Sequence, residues 1–292
     1  MKFTCTSWSW PQLPFEDVVR VMSVLGFRAI DVGAFAGVAH FEPDEIARQP
    51  REMARLVADI RKRHAIVFSD LFVTFGVDLT DRCVNFPDRA VTDANIDTFR
   101  RITEFCTQAG IPGVTLCPGV EHGVLGRAGS LALAAEELAR LSEVGYQAGL
   151  QVSFEPHLES ITESPEEALK VVTSAPRLTL TLDYSHFVAQ GYLESAIEPL
   201  VPHARHIHIR QAKSGTLQAH DDDGTIDFDR LLSVLQSLGY QGWIAFEYEC
   251  NAWQGNNRSD VVTETALLKR RLSRFESPID SLAAGVADET RR

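Results

Sequence analysis

Four stretches decide how this chain is read: Gln151–Glu155 (QVSFE), Thr179–Asp183 (TLTLD), Arg205–Arg210 (RHIHIR) and Trp243–Glu247 (WIAFE). Each alternates like a half-buried strand, whose successive side chains leave on opposite faces. Val152 and Phe154 oppose Gln151, Ser153 and Glu155, and Leu180 and Leu182 oppose Thr179, Thr181 and Asp183. Ile207 and Ile209 oppose His206, His208 and Arg210, while Ile244 and Phe246 oppose Trp243, Ala245 and Glu247. Every group able to hold a metal therefore falls on the polar face. If these strands are neighbours, Glu155, Asp183, His208 and Glu247 meet at one end of a sheet and suit a hard cation.

The stretches belong to a longer alternation of strand-like and helix-like segments. Phe3–Thr6, Ala29–Val32, Ile66–Phe68 and Val114–Cys117 read as the four earlier strands, with the polar pair Ser69–Asp70 closing the third. Between the strands, apolar residues recur at helical spacing over Pro14–Leu25, Asp44–His64, Thr92–Ala109 and Ser130–Ala148. Later come Ser164–Ser174, Leu193–Leu200, Asp227–Leu238 and Asp260–Phe275. Pro50 is expected to break the second of these helices, and Gly110 to stop the one that Thr92 caps. Successive strand–helix units predict a parallel sheet, and eight is the number at which such a sheet closes. The expected fold is α/β, a single-domain (β/α)8 TIM barrel over residues 1–276, with residues 277–292 as a mobile tail. An open doubly wound sheet would carry a Gly-rich phosphate turn after its first strand, where this chain reads TSWSWPQ. In a barrel, catalytic groups sit at the C-terminal strand ends, where all four ligand candidates lie.

Composition narrows the function classes. With 28 Lys and Arg against 40 Asp and Glu, the net charge is −12, so a polyanion such as nucleic acid is a disfavoured partner. Cys5, Cys83, Cys106, Cys117 and Cys250 are odd in number and contain no CxxC pair, which predicts reduced thiols and a cytoplasmic location. No apolar run approaches the roughly 20 residues of a membrane span, so no membrane association is expected.

Local motifs in the second half resemble the xylose-isomerase-like barrel superfamily of sugar epimerases, isomerases and dehydratases, which is related to the type-IV endonucleases. Glu155-Pro156-His157 resembles its first metal glutamate with neighbouring substrate contacts. Asp183-Tyr184-Ser185-His186 matches its D-x-x-H, and His206-Ile207-His208 its H-x-H strand. Gly224-Thr225-Ile226-Asp227-Phe228 and Gly239-Tyr240-Gln241-Gly242-Trp243 match its later turns, the second leading to Glu247. The endonuclease branch adds histidines at strand ends three and four, where this chain has Ser69-Asp70 and Cys117-Pro118-Gly119. Its aspartate two places before His220 is here Gln218. A three-zinc nuclease is therefore disfavoured.

The resemblance implies one divalent ion held by Glu155, Asp183, His208 and Glu247. Oxygen-rich ligands favour Mn2+, Mg2+ or Co2+, with Zn2+ compatible. It also implies that Glu155 and Glu247 flank a carbon beside a ketone, one removing its proton and the other returning it through an enediolate. Glu247 is taken as the base. His186, His157, His220 and Trp10 are expected to contact substrate. Arg210, sharing parity with His208, either forks onto a substrate carboxylate or phosphate or pairs with a protein carboxylate. The expected activity is isomerisation or epimerisation of a small keto-sugar or sugar acid. The alternatives are a lyase on the same scaffold, such as an inosose-type dehydratase or a β-keto sugar acid decarboxylase, and a barrel that only binds its ligand or handles abasic DNA. Homo-oligomers are common among such relatives, and one is possible here.

Overall fold

The computed structural model describes residues 1–279. Eight parallel strands close on themselves in sequence order: β1 Lys2–Thr6, β2 Ala29–Phe35, β3 Val67–Thr74, β4 Gly113–Leu116, β5 Gln151–Phe154, β6 Leu178–Asp183, β7 Ala204–Ile209 and β8 Trp243–Phe246. Lys2–Cys5 of β1 pair with Trp243–Phe246 of β8, which completes the ring. Closure leaves no free sheet edge.

The strands' apolar faces turn outward, where Phe3, Ile30, Val114, Val152, Leu180, Ile207 and Phe246 are buried with the helices' inner faces in one continuous core. Those helices are α1 Phe15–Val24, α2 Pro43–Arg48, α3 Pro50–His64, α4 Arg89–Ala109, α5 Gly126–Gln147, α6 Pro165–Val172, α7 Tyr184–Ala189, α8 Glu194–Ile197, α9 Phe228–Ser237 and α10 Val261–Leu272. Pro50 separates α2 from α3 by sitting in the first turn of the latter. Gly110 ends α4 at φ +76°, a left-handed conformation that glycine adopts without strain. The N-cap of α4 is Asp88, whose carboxylate accepts from the Ala90 N–H, so the helix begins before Thr92. α5 likewise starts ahead of Ser130. The tail expected over 277–292 lies, from residue 280 on, outside the described residues. Ser277 is tied back, its N–H donating to the Met1 carbonyl at 2.8 Å.

The barrel's interior is polar, because two β-bulges turn extra charged side chains inward. Between β2 and β3 the register steps from Ile30↔Phe68 to Asp31↔Asp70, leaving Ser69 as the inserted residue. Between β6 and β7 it steps from Leu180↔Ala204 to Thr181↔His206, inserting Arg205. Ser69 and Asp70 therefore lie inside the barrel and not at a strand end, since β3 runs on to Thr74. Arg205, which simple alternation sends outward with Ile207, grips Asp70 at 2.9 and 3.0 Å. Thr115, Ser153 and Thr181 complete this layer, Thr115 donating to Asp70 at 2.5 Å and Arg205 donating to Ser153 at 2.5 Å. One layer higher, His206 Nε2 lies 2.6 Å from Asp31 Oδ2, and Ser69 links the other Asp31 oxygen to Thr4.

Candidate metal and substrate site

Above these two layers the strand ends deliver the third. Glu155 follows β5, Asp183 ends β6, His208 is the penultimate residue of β7, and Glu247 follows β8. All four are buried. His208 Nδ1 lies 2.8 Å from Glu155 Oε1 and 3.2 Å from Glu247 Oε2. Donor atoms of Glu155, His208 and Glu247 fall within 4.8 Å of one another, as a shared ion requires. Asp183 joins from the side: its Oδ1 caps α7 through the Ser185 N–H at 2.8 Å, and its Oδ2 lies 3.7 Å from His186 Nε2. Asp183 Oδ2 and Glu247 Oε2 are buried without a hydrogen bond. Buried oxygens left without donors are costly unless a cation satisfies them. The donor set, three carboxylates and one imidazole, fits a divalent ion by this test.

Electrostatics within the cluster pull the two glutamates apart. Burial raises the Glu155 carboxyl to about 7, opposed by His208 and reinforced by Glu247. Burial also works against ionised Glu247, yet Arg210 and His208 hold it down to about 2. His208 is raised well above an ordinary imidazole: burial opposes this, and Glu247, Glu155 and Asp31 outweigh burial. Burial lowers His157 to about 4 and takes His186 well below its usual range, so both rings are neutral at pH 7.

Arg210 lies fully buried just beyond β7 and is held by protein carboxylates. Nη2 lies 3.1 Å from Asp183 Oδ2 and 3.5 Å from Glu247 Oε2, and Nη1 lies 3.4 Å from Glu249 Oε2. Its Nε donates to Ser185 Oγ at 3.0 Å. Of the two roles open to it from sequence, ion pairing within the protein is the one the geometry displays.

A cavity of about 490 Å3 opens from this cluster toward the C-terminal mouth of the barrel. One wall is aromatic: Trp8, Phe35 and Phe72 meet edge to face with ring centroids 5.1–5.7 Å apart. Gly33 makes room for Trp8, since a Cβ there would stand 2.9 Å from the indole. The Trp8 N–H donates to Glu247 Oε1 at 2.8 Å, so the same side chain walls the cavity and aims a carboxylate. Opposite, the His157 ring stacks on Trp253 at 4.9 Å. His186, in α7, lies beside His157 with ring centroids 4.2 Å apart.

Two expected contacts are elsewhere. Trp10 leaves the short 3-10 turn Ser7–Ser9 on the core side and packs into the apolar core, whereas Trp8 from the same turn lines the cavity. His220 is exposed on the long loop after β7, its Nδ1 2.7 Å from Glu264 Oε1 of α10. Three residues of the site escaped the sequence reading or were left unassigned by it. Asp31, whose Oδ2 is 3.4 Å from His208 Nε2, has one sequence signal, a lone carboxylate in the apolar run AIDVGAF, where a charge needs a partner. Glu249 shares the parity that singled out Glu247. Trp8 was legible only as one indole among several.

A family model described as xylose isomerase-like TIM barrel matches residues 19–271. Inosose dehydratase of Geobacillus thermodenitrificans (strain NG80-2) is 27% identical over 135 residues, covering 38% of this chain and 45% of that one. The chain spans about half the length of the curated relatives it matches. Among solved structures, a D-tagatose 3-epimerase-like protein superposes with TM-score 0.73 at 18% identity, covering 94% of this chain and 98% of the other. The IOLI protein with a binding zinc atom gives 0.72 at 18% identity, covering 95% and 100%. At such identities the superpositions speak for the fold, while the family match spans most of the chain. The chain belongs to the xylose isomerase-like TIM barrel family.

Proposed function

We propose that this protein is a divalent-metal-dependent isomerase or epimerase of a small keto-sugar. The observation that carries the reading is the convergence of Glu155, His208 and Glu247, with Asp183 beside them, and two buried carboxylate oxygens that make no hydrogen bond. Those four residues would hold the ion, with Mn2+, Mg2+ or Co2+ suited to the oxygen-rich set and Zn2+ compatible with it. The zinc named for the IOLI protein supports a metal in this family's barrels. When bound, such an ion supplies Lewis acidity to oxygens beside the reacting carbon.

The chain's own residues do the remaining work. Trp8 fixes one oxygen of Glu247, so that carboxylate faces the cavity in a defined orientation, and Glu155 stands beside the His208 nitrogen that would share the ion. Glu247, flanked by Arg210 and His208, is the base that takes the proton from the carbon next to the ketone. Glu155 is the residue that returns a proton on the other face. His157, neutral and stacked on Trp253 in the cavity wall, orients a hydroxyl, and the neutral His186 packs behind it.

A second reading, dehydration from the same carbanion-like state, is favoured by the similarity to inosose dehydratases. Product mass separates the two, because isomers keep the substrate's mass and a dehydrated product does not. The test of the shared first step is Glu247→Gln, which is expected to keep the fold and abolish exchange of a substrate C–H with solvent deuterium. Persistent exchange removes Glu247 from proton transfer.

A further inference from the structure

We infer that the site selects an uncharged polyhydroxy ketone and rejects carboxylated or phosphorylated sugars. The inference rests on the reading that this cavity is the substrate site, and it narrows the substrate class. Its lining carries five carboxylates, Glu155, Glu247, Glu249, Glu159 and Asp78, against a single guanidinium, Arg210.

That guanidinium is not free to receive an anion. Asp183, Glu247 and Glu249 surround it within 3.5 Å, and Ser185 and His186 take two of its N–H groups. Its Nη1, 3.4 Å from Glu249 Oε2, makes no hydrogen bond, which leaves that nitrogen's N–H groups suited to a hydroxyl or carbonyl oxygen. A bound dication does not reverse the balance. Together with Arg210 it offsets Glu155, Asp183 and Glu247, and Glu249, Glu159 and Asp78 remain.

These three are held in place. Asn251 and Asn256 donate to Glu249 at 3.0 and 2.8 Å, Gln254 donates to Glu159 at 2.8 Å, and the Thr80 N–H donates to Asp78 at 2.7 Å. Carboxylates so fixed are acceptors for hydroxyl groups. Glu249, mostly shielded from water, repels an anion inside the cleft, while Glu159 and Asp78, exposed at its mouth, add a field that salt screens. The Trp8–Phe35–Phe72 wall offers a surface for the C–H face of the same molecule.

The experiment uses matched pairs on the Mg2+-loaded full-length protein. Binding of D-glucitol and D-glucitol 6-phosphate is measured by saturation-transfer NMR, and deuterium exchange is followed for D-fructose and D-fructuronate. The uncharged member of each pair is expected to be favoured by at least about tenfold, with the gap narrowing at high salt and in Glu249→Gln. Equal affinity, or tighter binding of the charged member, overturns the inference. The two readings fail separately. Preference for glucitol with no exchange of any ketose sinks the isomerase assignment alone, and exchange that favours fructuronate sinks the charge selection alone.

Discussion

His208 is held from two directions: Glu155 and Glu247 face its Nδ1, and Asp31 faces its Nε2. A carboxylate on the far nitrogen fixes the ring's orientation and keeps the proton there, leaving Nδ1 for an ion. Asp31→Asn is therefore expected to weaken Mn2+ or Co2+ binding by about 10–100-fold, read by titration calorimetry, with secondary structure unchanged. Wild-type affinity in that variant would reduce Asp31 to a partner of His206. Glu247→Gln is expected to lower turnover by roughly 10^3-fold at saturating metal and, since Glu247 would also hold the ion, to weaken Mn2+ binding, which kcat and metal Kd measured separately resolve. At this scale the sequence was most legible where a side chain obeyed strand parity, as Glu155, Asp183, His208 and Glu247 do. Trp10 and His220 were misplaced because loops have no such periodicity: one indole turned into the core, and one imidazole turned out to Glu264.

The strands show where parity stops being informative. A bulge adds one residue and puts two neighbours on the same side. Ser69 with Asp70, and Arg205 with His206, enter the barrel this way; each bulge shows in sequence only as two adjacent polar residues, which read equally well as a strand end. Their product is a buried Asp70–Arg205 pair beneath the site. Removing one partner strands a charge, so Arg205→Ala is expected to cost about 3–5 kcal/mol in denaturant unfolding. Replacing both, as Asp70→Leu with Arg205→Met, is expected to recover most of that loss, because apolar groups of similar volume need no desolvated partner. A double variant no more stable than the single one would mean that the ion pair fixes the register of β3 or β7. The helices were easier to read because Pro50, Gly110, Ser164 and Asp260 act locally, by fixed φ, by positive φ, or by capping.

For the whole molecule, metal removal is the most informative perturbation. An ion at 100 times its Kd adds about 2.7 kcal/mol of stability, which for a chain of this size is about 5–10 °C in Tm. The stabilisation is expected to depend on pH through Glu155, whose carboxyl moves from 4.5 when unfolded to about 7 in the metal-free fold. A raised carboxyl contributes stability below pH 4.5 that is lost as pH rises through 7. His157 and His186, both lowered by burial, gain stability over part of the same window in either form, so it is the gap between loaded and metal-free protein that is expected to widen as pH rises. Melting curves with and without chelator should diverge as pH rises, and a constant gap would take Glu155 out of the ligand set. The barrel itself was legible from the count of strand–helix units alone, whereas its polar interior was not, since such interiors are ordinarily aliphatic. The indole of Trp8 touching Glu247 has one further consequence. It gives the protein a built-in fluorophore at the proposed metal site: paramagnetic Mn2+ or Co2+ entering beside it should quench ultraviolet emission, and Trp8→Phe should erase that optical signal while the emission of Trp10, Trp243 and Trp253 persists.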